Sequence, residues 1–357
     1  MMKKRVEMAH LRQTCSLGLP SRVVMPHILE DVHEIVMSDR THFAWSDSSD
    51  QTFEGCYDDT GTALVDVFRH RQDHVQIEFV SSYQPPALVL KATRKLRSPS
   101  GRRELNACDQ RLFRKPGLDH SLSGFVRSRD GLLGLINLHR PIGDPDFSAE
   151  DEENLTQTLP YIAHAICHEI KAPDSYVDSG DAGLMVFDVS GELKYQSVVA
   201  RQLCPYLMSE TFIDGWRKEL TPLEMQREQR ALFNRVVHVL TAHQLVRKPP
   251  AWTVSNKWGE FHVQVYAMQS SQDLAMTYGV MLKKKIPIEV WLLQRVKQMP
   301  LSAKQSEICY LLARGVDTAD IATQLCITQT TLKDHTQAIY RKLGIRKREE
   351  LRRLVLS

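Results

Sequence analysis

The sequence predicts an α+β chain: two antiparallel-sheet domains followed by an all-α module of four short helices. Three observations predict it. A chain of 357 residues exceeds what one hydrophobic core ordinarily serves. Before about residue 285, strand-like runs separated by glycine turns recur. After Leu301 the apolar residues change to helical spacing, with capping residues and glycines bracketing the runs.

Hydrophobic residues make up 42% and charged residues 25% of the sequence, a globular rather than a disordered composition. No apolar run approaches the roughly 18 residues of a membrane span, so no membrane association is expected. Lys3, Lys4 and Arg5 carry the charge that begins a leader peptide, but residues 6–13 are too polar to form its apolar core. Residues 1–20 therefore read as a flexible terminus. The seven cysteines (Cys15, Cys56, Cys108, Cys167, Cys204, Cys309 and Cys326) are scattered and form no C-x-x-C pair. That pattern predicts no disulfide framework and a cytoplasmic protein.

The first sheet domain is expected over residues 21–172. Met25, Ile28, Leu29, Val32, Ile35 and Val36 describe an apolar helical face, and strand-like runs follow at 75–80 and 120–127. Residues 131–138 read as a buried strand. Ser148 and Asp151 then form a helix cap, and Leu155, Leu159, Ile162, Ile166 and Ile170 line a long helix kinked at Pro160. Residues 131–165 resemble the last strands and final helix of GAF-type sensory domains. A second domain is expected over residues 173–285. It opens on the strand Gly183-Leu184-Met185-Val186-Phe187-Asp188, turns at Ser190-Gly191-Glu192 and returns through Leu193-Lys194-Tyr195. Phe261, Val263 and Val265 alternate inward, and residues 275–282 supply a further strand. This opening hairpin is similar to that of a PAS domain, although Gln196 stands where asparagine is common. Lys283, Lys284, Lys285 and Pro287 break the strand pattern, and residues 286–300 are expected as a linker with one short amphipathic helix.

The final module, residues 301–357, is the most legible part. Ser302 and Gln305 make a capping-box pattern, Ile308, Leu311 and Leu312 line one face, and Gly315 supplies a left-handed stop. Asp317 or Thr318 caps a second helix that buries Ile321, Ala322 and Leu325. After Cys326-Ile327, Thr328 caps a third helix, with Leu332, Ile339 and Leu343 inward and Gly344 at its end. A fourth helix runs over 348–356. Lys333, Gln337 and Arg341 share an outer stripe at i, i+4 and i+8, with Asp334 beside them. Two short helices presenting a third with a polar outer face give the geometry of a major-groove reader, and long donors and an amide suit base edges and phosphates. A helical bundle used for protein contacts would share much of this pattern. Positive charge gathers at this end, as a phosphate-binding module needs and as a solvated basic helix would also give. From Leu301 onward ten Lys/Arg face six Asp/Glu, a net +4, whereas the preceding 300 residues sum to −1.

The runs 301–308 and 311–315, Asp320-Ile321-Ala322 with Leu325, 327–335, and Lys342-Leu343-Gly344-Ile345 resemble the LuxR-type helix-turn-helix. Gln305, Thr318 and Leu332 stand where that family usually has Glu, Asn and Val, and each keeps the capping or packing role. The resemblance implies a transcription regulator that binds double-stranded DNA as a homodimer on an imperfect inverted repeat. It places Lys333, Asp334 and Gln337 at bases, and Thr328, Thr331 and Arg341, with Lys342 nearby, at phosphates. Asp334 would accept from a cytosine amine or hold a neighbouring lysine, since it would repel a phosphate. Alternatives are an adaptor whose helix-turn-helix no longer binds DNA and a small-molecule quorum-sensing receptor of the same family.

No enzyme is expected. Neither a G-x-S-x-G elbow nor a phosphate-cradling G-x-x-x-x-G-K-[ST] loop occurs, and nothing nucleophilic attends Ser81-Ser82-Tyr83 or Gly101-Arg102-Arg103. His164 and His168, with Cys167 between, have the i, i+4 spacing of shared metal ligands but lack the intervening acid of a zinc peptidase, so they read as exposed histidines. His70 and His74 repeat the spacing. Trp45, Phe53, Tyr57 and Phe79 would either line a pocket for a small-molecule signal or belong to the core. The sequence names no cofactor.

Overall fold

The computed structural model describes residues 2–47, 52–58, 89–93, 118–141, 143–207, 230, 233–236, 238, 249–269 and 276–356. The expected strand at 75–80, the pair His70 and His74, Phe79 and the segments around Ser81 and Gly101 lie outside these residues, as do the side chains of Phe53 and Tyr57. Contacts gather the chain into two compact units that do not follow its linear order. One contains Met1–Met37, Pro160–Val177 and Pro287–Ser357, and the other Ser38–Leu159 and Asp178–Ile286.

The second unit holds the expected antiparallel sheets. Strands β1 (Arg40–Asp47), β2 (Thr52–Asp58), β3 (Val89–Thr93), β4 (Leu118–Arg127) and β5 (Leu132–Pro141) form one, ordered β2-β1-β5-β4-β3. The other has β6 (Tyr176–Asp188), β7 (Leu193–Gln196), β8 (Ala251–Asn256), β9 (Gly259–Gln269) and β10 (Met276–Pro287), ordered β7-β6-β10-β9-β8, with helix α4 (Val198–Leu207) following β7. The two orders are the same once each sheet is counted from its own first strand.

Within β5 six successive residues are buried, so both faces of this central strand are covered. On one face Gly124 lets helix α3 (Ala149–Cys167) approach, since a Cβ there would stand 2.8 Å from Leu159 Cδ2. The cap of α3 is reciprocal as expected: Asp151 N–H donates to Ser148 Oγ (3.2 Å) and Ser148 N–H to Asp151 Oδ2 (2.8 Å). The helix ends at Cys167, short of the expected Ile170, which lies beyond it and is 80% exposed. Trp45 is core rather than pocket wall. It packs edge-on against Phe43 and Trp258, with ring centroids 5.0 and 5.5 Å away.

Lys283, Lys284 and Lys285 do not break their strand. Pairing of β10 with β9 continues through Lys285↔Glu260. Two of the lysines are neutralised in place, Lys283 by Asp178 (2.7 Å) and Lys285 by Glu260 (2.8 Å), so a charge run is compatible with the ladder.

Residues 1–20 are not an unstructured terminus: Met2–Cys15 is helix α1, in contact with α2 (Ser21–Ile35). The side of α1 that is buried carries Glu7, His10 and Thr14 beside Leu11 and Cys15. Their partner is Asp31 of α2, 1% exposed, which accepts from His10 Nδ1 (2.7 Å) and Thr14 Oγ1 (3.2 Å). Burial alone would raise the Asp31 pKa. The hydrogen bond and charge of His10, with the ammonium of Lys297, outweigh it and hold the carboxyl below the usual carboxylate range.

A depressed folded value contributes stability that is full above the unfolded carboxylate pKa and is lost as pH falls through the folded one. Acid titration should therefore loosen α1 only below about pH 4. Amide exchange in residues 2–15 measures this. In Asp31→Asn that acid step should vanish, and an unchanged step would show that another group controls it.

Candidate nucleic-acid interface

Four helices build the final module: α6 (Ala303–Arg314), α7 (Thr318–Gln324), α8 (Gln329–Leu343) and α9 (Arg348–Leu356). Their ends are fixed by local chemistry. Ser302 N–H donates to Gln305 Oε1 (3.1 Å) while Gln305 N–H reaches Ser302 Oγ (3.4 Å), completing the capping box. Asp317 rather than Thr318 caps α7, accepting from Ala319 N–H at 2.9 Å. Thr328 Oγ1 accepts from Thr331 N–H at 3.1 Å and so pairs an early amide of α8. Gly315 (φ 88°) and Gly344 (φ 68°) stop α6 and α8 in the left-handed region. Cys326 turns α7 into α8 at φ 51°, an uncommon conformation for a residue other than glycine.

The core under these helices contains Ile308, Leu311, Leu312, Ile321, Leu332, Ile339, Leu351 and Val355. It also contains Leu292, Leu293 and Val296 of helix α5 (Ile288–Lys297). The helix expected within a linker is thus part of the module it precedes.

Opposite Leu332 and Ile339, the outer side of α8 is open. Lys333, Asp334, Gln337 and Arg341 are all exposed, and none of the four makes an ion pair among the described residues. Thr328 and Thr331 stand at the start of the same helix with hydroxyl oxygens 2.8 Å apart. Lys342 is different. It is exposed, but its ammonium turns back to donate to Gln305 Oε1 (2.8 Å) and Pro300 O (3.3 Å), beside the cap of α6.

Other cations in the charge count are also engaged. Arg348 Nε donates to Leu312 O (3.0 Å) and Nη2 to Val316 O, pairing carbonyls at the end of α6 with the start of α9. Arg314 meets Asp174 (3.1 Å) and Lys304 meets Glu307 (3.0 Å). The structural use of Arg348 had no sequence signal, because one arginine in a basic run looks like the next. The field for an anionic partner therefore comes chiefly from Lys333, Arg341, Arg346, Lys347, Arg352 and Arg353, all exposed.

Residues 299–355 match the family described as bacterial regulatory proteins, luxR family. This segment is a LuxR-family helix-turn-helix domain. Such a domain implies a DNA-binding transcription regulator, and the family is generally not one of enzymes. A comparison with curated proteins gives no match. Among solved structures, the Vibrio cholera VqmA–ligand–DNA complex is similar at 14% identity, over 50% of this chain and 83% of that one, with a TM-score of 0.20. The sensor region of a sensor histidine kinase is similar at 16% identity, over 45% of this chain and 62% of that one, with a TM-score of 0.18.

Away from the LuxR-family domain, the described residues gather no group of three or more potential metal ligands. His164 and His168 stack ring on ring at 4.1 Å, and His168 Nδ1 lies 3.1 Å from the His164 carbonyl oxygen. No described helix is long and apolar enough to cross a membrane.

Proposed function

We propose that this protein is a cytoplasmic, homodimeric regulator whose LuxR-family domain reads double-stranded DNA with α8, under control of signals received by its two sheet domains. The observation that carries the reading is the open stripe of α8, which offers an ammonium, an amide and a guanidinium on successive turns above a capped helix start. Lys333 and Gln337 reach base edges, and Asp334 takes a cytosine amine or steadies Lys333. Thr328, Thr331 and Arg341 serve the phosphates. Lys342 joins them only by leaving its place beside the α6 cap. The shared strand order of the two sheets supports reading them as related sensory domains, GAF-like and PAS-like, with a small molecule as the signal for one of them. Two-fold symmetry of the dimer would make the operator an imperfect inverted repeat.

Filter binding of the full chain to bulk genomic DNA tests this first. Retention at low salt should fall steeply as salt rises, and footprinting should then reveal protected sites sharing an inverted repeat. Absence of retention at low salt would sink the reading and leave an adaptor in its place.

A further inference from the structure

Helix α5 has two unlike sides. Leu292, Leu293 and Val296 are buried in the core of the LuxR-family domain, so α5 moves with that domain. Gln294 and Lys297, one turn apart, meet the α1–α2 pair instead. Lys297 Nζ lies 2.8 Å from Asp31 Oδ1 and 2.6 Å from Glu7 Oε2, and Gln294 Nε2 donates to His27 Nδ1 (2.8 Å) and Glu30 Oε2 (3.3 Å). At the other end of α5, the fully buried Glu289 takes Lys171 Nζ (2.8 Å) and the Asp174 amide (3.2 Å). Asp174 in turn takes Arg314 from α6. Leu17 adds a partly buried apolar contact to the domain.

We propose that the α1–α2 pair is a cradle in which the DNA-binding domain docks reversibly, with Lys297 as the latch. The physical case lies in the contrast between the two sides. Buried ion pairs recover in mutual attraction roughly what they lose in hydration, so a charged seam sets a register without adding much net stability. Opened, each of its groups is rehydrated; closed, every partner must be in place. Two buried acids, Glu7 and Asp31, converge on the single Lys297 ammonium, so the seam closes or opens as a unit. The apolar side of α5 offers no such choice. Docking leaves the outer stripe of α8 open, and it therefore fixes how that stripe is held rather than covering it. The effect on gene regulation rests on the function proposed above; the docking does not.

Hydrogen exchange on the full chain without DNA tests the latch. In the wild type, residues 2–15 should exchange through an opening that leaves α6–α9 protected. Lys297→Met should speed exchange in residues 2–15 about tenfold or more, with α6–α9 unchanged, because the two acids lose their cation. Lys297→Arg should restore most of the protection. So should the triple variant Glu7→Gln, Asp31→Asn, Lys297→Met, which strands no acid and leaves His10 and Thr14 an amide to pair with. Wild-type exchange in Lys297→Met would overturn the proposal. Equal acceleration of α6–α9 would overturn it too, by making Lys297 a structural residue of the domain itself. A wild type that binds no DNA would sink the proposed function and leave these results standing.

Discussion

Ile339→Ala is expected to cost the LuxR-family domain about 2–5 kcal/mol, the largest loss of stability foreseen for a single truncation. Ile339 is fully buried on α8 in a core shared with Ile308, Ile321, Leu332 and Leu351. A small helical domain has little slack with which to close the resulting cavity, and capped helices on each side resist collapse into it. Urea unfolding followed by circular dichroism should show an earlier midpoint for this domain at unchanged slope. A loss below about 1 kcal/mol would mean that α8 is not seated as described. DNA binding should fall only in proportion to the unfolded fraction, because Ile339 faces away from the open stripe.

The largest expected effect on recognition comes from the stripe itself, and its residues should fail in two ways. Lys333→Ala or Gln337→Ala should cost about 1–3 kcal/mol on the best operator and relax preference at one base position. Arg341→Ala should weaken all duplexes by similar factors and lower the salt slope by roughly one unit. Titrations on specific and random duplexes at several salt concentrations separate these outcomes. Equal losses for Lys333→Ala and Arg341→Ala on every sequence would contradict the division, and undiminished binding by both would refute the docking of α8 in the groove. Lys342→Ala belongs to neither class, since its ammonium also supports the cap of α6.

The helix-turn-helix was legible in the sequence because each of its signals is local. Ser302 and Gln305, Gly315, Asp317, Thr328 and Gly344 all act within about a turn of where they stand, and they stop and start the helices as expected. The strands around 120–138 and 183–195 were legible for the same reason. Helix α1 was not. Its inward side carries Glu7, His10 and Thr14, which resemble a solvated surface until Asp31 and Lys297 are seen opposite. Polar residues buried against partners distant in sequence defeat a periodicity argument, since burial is what such an argument infers from polarity. Lys283 and Lys285 misled in the same way, each having its acid on a neighbouring strand. Charge counting located the basic end of the chain, but it could not separate Arg348, spent on two carbonyl oxygens, from Arg341, which faces solvent.

The ion pair between Lys297 and Asp31 joins residues 266 positions apart, and this bears on the order in which the protein is made. A chain leaving the ribosome exposes Glu7 and Asp31 long before any Lys297 exists to meet them. During that interval both acids must stay hydrated, and α1 lacks the cation that makes its inward side worth burying. The sheets, built largely from nearer contacts, can form in the meantime, whereas this closure must wait until Lys297 has emerged. Helix α1, translated well before Lys297, should find its place only once that residue is made.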